Sequence, residues 1–89
     1  MPWRIELSVE ASRELDQLDR QVSRRIEKFL HDRITPLQNP RSIGKPLQGR
    51  KFGELWRYRV GDYRLICQIR EEQILVLVVR IGHRKEIYR

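Results

Sequence analysis

The chain has 89 residues, of which 39% are hydrophobic and 35% charged, and 19 Lys/Arg against 12 Asp/Glu leave it a net charge of +7. That length makes one small domain, residues 1–89, burying about 60–65% of the surface its unfolded form exposes. The composition is too apolar for a disordered tail, and no apolar run approaches the ~20 residues a membrane span requires. Residues 1–7 lack the basic stretch and apolar core of a secretory signal. Cys67 is the only cysteine, which leaves no internal disulfide and no paired metal-ligand spacing. A cytoplasmic protein is expected, with no membrane partner.

The charge is unevenly spread. Residues 1–44 hold eight Lys/Arg against seven Asp/Glu, and residues 45–89 hold eleven against five. The first half reads as a neutral surface laced with ion pairs. The second reads as a site for a polyanion, either nucleic acid or an acidic protein. A positive charge serving only solubility is the alternative.

In chain order, residues 3–7 alternate apolar Trp3, Ile5 and Leu7 with Arg4 and Glu6, the period of a half-buried strand. Ser8 is placed to cap a helix. Ala11, Leu15, Leu18, Val22, Ile26, Phe29 and Leu30 then recur at helical steps and predict one apolar face. Asp19 could cap a second helix, so the stretch reads as one long helix or as a helical hairpin. Thr35-Pro36 ends it, because proline disfavours helical geometry in the residue before it. Residues 36–53, with three of the chain's five glycines and three of its four prolines, have no steady period and read as a loop. Strand patterns follow over residues 55–60, 63–69 and 74–81. Gly61-Asp62 and Glu71-Glu72 separate them, which makes an antiparallel meander.

A two-residue turn at Gly61-Asp62 sets Val60 opposite Tyr63, Arg59 opposite Arg64 and Arg57 opposite Ile66. Opposed residues share a face, as do alternate residues along a strand. Trp56, Tyr58, Val60, Tyr63, Leu65 and Cys67 then make a core surface for the helices, and Arg57, Arg59 and Arg64 share the other face. Like charges opposed on a sheet destabilise it. The three arginines therefore read as a phosphate cradle, against the plainer reading of a solvated outer face. The tail Gly82-His83-Arg84-Lys85-Glu86-Ile87-Tyr88-Arg89 favours the cradle, bringing cations, an imidazole and a phenol to the same sheet.

Two segments, Leu55-Trp56-Arg57-Tyr58-Arg59-Val60-Gly61-Asp62-Tyr63-Arg64-Leu65 and Gly82-His83-Arg84-Lys85-Glu86-Ile87-Tyr88, together with the loop Lys45-Pro46-Leu47-Gln48-Gly49, resemble the RelE/ParE toxins, and the RelE branch in particular. The resemblance runs along essentially the whole chain. It implies an α+β fold: an N-terminal strand and a two-helix hairpin packed on one face of a small, twisted antiparallel sheet. It also implies the toxin of a type II toxin–antitoxin system, a ribosome-dependent endoribonuclease. Such an enzyme cleaves the messenger in the ribosomal A site through the RNA's own 2′-hydroxyl, with neither metal nor cofactor. The implied partners are the ribosome with its RNA, the messenger, and a cognate acidic antitoxin, with operator DNA met only through the antitoxin complex.

That chemistry needs removal of the 2′-proton, stabilisation of the charged phosphorane and protonation of the leaving 5′-oxygen. Guanidiniums suit the second, being permanently charged and matched to phosphate oxygens. By position, the resemblance sets Arg57 and Arg59 where the family carries two lysines, Arg64 at a phosphate-binding arginine, and Arg84 at an arginine proposed as general acid. Tyr88 falls at a tyrosine that stacks on or orients the RNA. Lys85, Lys45 and Lys51 add cations for phosphate. The departure is Arg59, since arginine is a poor proton acceptor where some members use a lysine as base. Arg59 is then expected to stabilise charge, leaving the proton to His83, Lys85 or the ribosome. Imidazole titrates near pH 6.5 and suits the task, although His83 reads equally as a hydrogen-bonded turn residue.

Other notable residues read as structural: Trp3 and Trp56 as core, Cys67 as a small buried hydrophobe, and His31 and Glu54 as surface. Two rival functions stay open. One is a ParE-like inhibitor of DNA gyrase that cuts nothing, and the other a nucleic-acid-binding module without catalysis.

Overall fold

The computed structural model describes residues 2–47 and 55–87. The chain opens with strand β1 (Arg4–Leu7), followed by helices α1 (Val9–Gln17) and α2 (Arg20–Phe29). Ser8 caps α1, its Oγ accepting the Ala11 N–H at 3.0 Å and donating to the Val79 carbonyl at 2.9 Å. Such a cap contributes about 1 kcal/mol. The helical stretch is a hairpin. Leu18 leaves helical geometry at ψ 155°, and Asp19 stands at the cap position of α2 without a side-chain capping bond. A π-helical turn, Leu30–Ile34, extends α2 and closes where Thr35 donates to the Leu30 carbonyl, just before Pro36.

Residues 36–47 form a pinned segment rather than a free loop. It holds a 3₁₀ turn (Pro40–Ser42) and a two-residue strand β2 (Lys45–Pro46). Three aromatic side chains reach it: Tyr58 Oη donates to Pro40 O at 2.6 Å, Trp56 Nε1 to Ile43 O at 2.8 Å, and Trp3 Nε1 to Gln38 O at 3.2 Å. Tyr58 and Trp3 bury their rings and Trp56 partly does, each satisfying its polar end. Gly44, at φ +80°, passes so near β3 that a Cβ would stand 2.4 Å from the Arg57 carbonyl oxygen.

Strands β3 (Trp56–Val60), β4 (Tyr63–Arg70) and β5 (Leu75–His83) form the expected meander. The β3–β4 register is the one the turn predicts, including Val60↔Tyr63, Arg59↔Arg64 and Arg57↔Ile66. Positive φ at this turn falls on Gly61, the residue that bears it without steric cost. The β4–β5 link is a 3₁₀ turn (Glu71–Gln73) ending on Ile74, a β-branched residue in the left-handed region at φ 50°.

Among the described residues the sheet has five strands in the order β1-β5-β4-β3-β2. The α+β architecture is as expected, but the sheet is mixed. β1 runs parallel to β5, pairing Arg4↔Leu75 through Leu7↔Val78. Its orientation is set by the helical crossover and not by a hairpin, so no local signal announces it. Helices cover one face, where Ala11, Leu15, Ile26, Leu30 and Ile34 pack on Tyr58, Val60, Leu65, Cys67, Val76, Val78 and Ile81. Trp3 joins this core and Trp56 borders it. Cys67 is fully buried, which pushes its thiol pKa up and keeps it protonated. No described helix is long and apolar enough to cross a membrane.

Candidate functional site

The sheet's outer face, opposite the helices, is organised in rows across the strands. Lys45, Arg57, Ile66 and Arg80 are register partners in one row, and Arg59, Arg64 and Gly82 in the next. Ile66 is buried on this face although it lies outside the helix-side core. So is Ile87. After β5 the chain turns, with the Glu86 and Ile87 N–H groups both donating to the His83 carbonyl, at 2.9 and 3.0 Å. This lays Ile87 on Gly82, where a Cβ would stand 2.8 Å from Ile87 Cδ1. The periodicity of β5 does not reveal this second apolar platform, because Ile87 sits in a turn beyond the strand.

The three arginines of the cradle do not behave alike. Arg64 is 8% exposed, and its guanidinium donates to the Gly61 and Tyr63 carbonyls at 3.0 Å each. The like-charge opposition of Arg59 and Arg64 is thereby relieved, one guanidinium turning onto the dipoles of its own hairpin turn. Arg59 is exposed and makes no ion pair among the described residues. Arg57 is half-buried, with exposed Lys45 beside it on β2.

Arg84 closes on the same turn. Its N–H donates to the Asp62 carbonyl at 2.8 Å, and its Nε stands 3.8 Å from the Asp62 carboxylate. Its side chain remains half exposed. Lys85 is exposed next to it, and its N–H donates to His83 Nδ1 at 3.2 Å. His83 itself is set apart. It pairs with Tyr63 in the register that puts Leu65 and Ile81 in the core, so it belongs to the helix-side face, with its ring edge-on to Tyr63 at 5.5 Å. The structure thus gathers Lys45, Arg57, Arg59, Arg64, Arg84 and Lys85 on or around the outer face and its turn end. It does not bring His83 onto that face. Lys51, Glu54 and Tyr88 lie outside the described residues.

Arg80 shows how local irregularity removes a cation from the row. The β4–β5 register shifts at Ile66/Cys67, leaving Val79 as an extra residue on β5, and such a bulge re-aims the strand beyond it. Beyond Val78, β1 no longer covers β5. Glu14 from α1 fills the gap, accepting the Ile81 N–H at 2.9 Å and holding Arg80 through Nε at 3.1 Å and Nη2 at 3.0 Å. The Glu14 hydrogen bonds raise the Arg80 pKa. The charge of Arg80 is paired there with Glu14 rather than presented alone on the outer face.

A shallow face carrying clustered cations over a buried apolar floor can bind a phosphodiester chain. Among the described residues no three His, Cys, Asp or Glu side chains group as metal ligands do.

A family model described as "ParE toxin of type II toxin-antitoxin system, parDE" matches residues 5–88. The toxin RelG of Mycobacterium tuberculosis is 30% identical over 89 residues, covering 100% of this chain and 99% of that protein. Among solved structures, the toxin–antitoxin complex RelBE2 of M. tuberculosis aligns with TM-score 0.83 and 25% identity, over 93% of this chain and 99% of that one. The archaeal RelE–RelB complex of Pyrococcus horikoshii aligns with TM-score 0.74 and 24% identity, over 97% and 99%.

Proposed function

The chain belongs to the RelE/ParE superfamily of type II toxins, and from that premise we propose that it is an endoribonuclease acting on messenger RNA held in the ribosomal A site. The observation that carries the proposal is the exposed Arg59 beside Lys45, Arg57 and Arg84, on a sheet face whose floor is Ile66 and Ile87.

In this reading Lys45 and Arg57 hold backbone phosphates, and Arg59 faces the scissile phosphate and stabilises the charge that builds on the phosphorane. Arg84, fixed by Asp62, stands over the leaving 5′-oxygen. Arg64 shapes the hairpin turn from beneath and adds its field. Lys85 and Lys51 draw in the RNA, and Tyr88 stacks on or orients it. His83 is a positioning residue that accepts the Lys85 N–H and so directs the tail. Removal of the 2′-proton falls to Lys85 or to the ribosome–RNA complex. The ribosome's part is to bend the codon so that the 2′-oxygen, the phosphorus and the leaving oxygen lie in line.

Free toxin of this kind needs restraint, and two of the solved relatives are toxin–antitoxin complexes, RelBE2 and RelE–RelB. We propose an acidic antitoxin that covers the cationic face by charge complementarity.

The family model's ParE description favours a second reading, inhibition of gyrase. Primer extension on messages translated with the purified chain separates the two. Cuts within ribosome-occupied codons support the nuclease, whereas intact messages with blocked supercoiling support the gyrase inhibitor.

A further inference from the structure

The near-neutral charge of residues 1–44 conceals a separation. Residues 1–19 carry two Lys/Arg against five Asp/Glu, and residues 20–44 carry six against two. The fold concentrates the second group. β2 pairs with β3 only at Trp56 and Arg57, so the edge of β3 toward Val60 has no strand partner among the described residues. α2 and its π-helical extension flank that edge. Between them lies an open cleft of about 380 Å³ whose walls include Arg25, Lys28, Phe29, Asp32, Arg33 and Arg59. Asp32, the one acid, is 3.1 Å from His31 Nδ1. Arg25 is laid against the β3–β4 turn, its Nη1 3.0 Å from where a Gly61 Cβ would stand. Arg25, Lys28, Arg33 and Arg59 make no ion pair among the described residues.

Four cations facing one cleft repel one another, and a fold needs no such arrangement for its stability. We propose that the cleft is a second RNA-docking site, which seats the phosphodiester backbone of ribosomal RNA apart from the messenger on the outer face. This rests on the ribosome-directed reading above. Arg59 belongs to both surfaces, so positive potential runs from the outer face around the Val60 end of β3 into the cleft. A continuous track suits a polymer whose charges recur along its length. Guanidiniums match phosphate oxygens in bidentate geometry. An acidic protein segment would take its affinity from apolar anchors as well, and the cleft offers little beyond Phe29 and Val60. The messenger's reacting codon occupies the outer face, leaving the cleft to a second strand of the ribosome.

The test is equilibrium binding of the full chain to message-free ribosomes across a salt titration. The variant Arg25→Gln/Lys28→Gln/Arg33→Gln is compared with Arg4→Gln/Arg13→Gln/Arg20→Gln, which removes the same charge elsewhere. The cleft variant is expected to bind at least tenfold more weakly at low salt. Its log–log salt slope should be smaller by about two, at ~0.7–0.9 per lost phosphate contact. The control triple should keep a slope near wild type. Arg25→Lys/Arg33→Lys retains charge and should retain the slope, while circular dichroism confirms folding throughout. Equal losses in both triple variants overturn the site, leaving only net charge. A cleft variant with unchanged ribosome binding but lost antitoxin binding also overturns it, making the cleft a protein seat. Wild type that binds message-free ribosomes with the expected slope difference yet cuts no message supports the cleft and defeats only the nuclease reading.

Discussion

Arg84 is tied to Asp62 twice, by its backbone N–H to the Asp62 carbonyl at 2.8 Å and by its Nε 3.8 Å from the carboxylate. The first contact sets where the tail leaves β5, and the second sets where a half-exposed guanidinium points. Exposed ion pairs contribute about 0–1 kcal/mol. Asp62→Asn keeps the backbone bond, so the denaturant midpoint should correspond to a stability within about 0.5 kcal/mol of wild type. Removing a negative charge beside Arg84 should tighten RNA binding at low salt, and the gain should vanish as salt screens it. Because Asp62 also orients Arg84, single-turnover cleavage should fall even as binding tightens, and looser binding at low salt would show that lost orientation outweighs the removed charge.

Arg59 and Arg64 should separate by what each substitution damages. Arg59 is exposed, and Arg59→Ala should leave the melting transition nearly unchanged while slowing single-turnover cleavage about 10²–10³-fold, the scale for one oxyanion-stabilising donor. Arg64 is buried and donates to two carbonyls. Arg64→Ala should cost about 1–3 kcal/mol by leaving the turn carbonyls under-satisfied, and cleavage should fall with it. Stability measured by urea titration alongside cleavage distinguishes the two. An Arg64→Ala chain of wild-type stability would show that its guanidinium serves RNA alone.

Ile87 anchors the tail over Gly82. Ile87→Ala should cost about 2 kcal/mol, the low end for a buried isoleucine because the site lies at the domain's edge. Cleavage should fall further than the change in folded fraction explains, since the turn that carries Arg84 and Lys85 loses its anchor. Gly82→Ala places a methyl against the flexible end of Ile87 and should do the same more mildly. Thermal melts run beside single-turnover rates decide whether the tail needs this seat.

These relationships were unequally legible. The β3–β4 register could be read because Gly61-Asp62 is local, and a two-residue turn fixes every pair that follows. The helix-side core could be read because Ala11, Leu15, Ile26 and Leu30 keep helical spacing. The parallel direction of β1 could not, since its partner strand lies about seventy residues away along the sequence. Alternation places Arg64 on the outer face but says nothing of depth, which depends on the tail folding back. The Val79 irregularity that sends Arg80 to Glu14 leaves no mark on the hydrophobic pattern. A half-chain charge count averaged the acids of α1 with the cations of α2 and hid the cleft between α2 and β3.

His83 pairs with Tyr63 on the helix-side face and accepts the Lys85 N–H. His83→Gln should therefore lower the cleavage rate modestly, by less than about tenfold. The pH–rate profile between pH 5.5 and 8 should keep its shape, because general-base loss costs about 10²–10⁴-fold and removes a titrating limb. A collapse of that size, with the acid limb gone, would make His83 the base and require the tail to bring it to the outer face when the ribosome binds.

The most direct test of the central claim is single-turnover cleavage of a defined message. The purified chain is added either to ribosomes programmed with an open A-site codon or to the same message alone, and products are mapped by primer extension. Cuts within the A-site codon on the ribosome are expected, with the naked message cut slower by orders of magnitude, since in-line geometry is supplied by the ribosome. An intact message on programmed ribosomes, together with loss of gyrase supercoiling at the same protein concentration, would contradict the account and assign the chain to the gyrase-inhibiting branch.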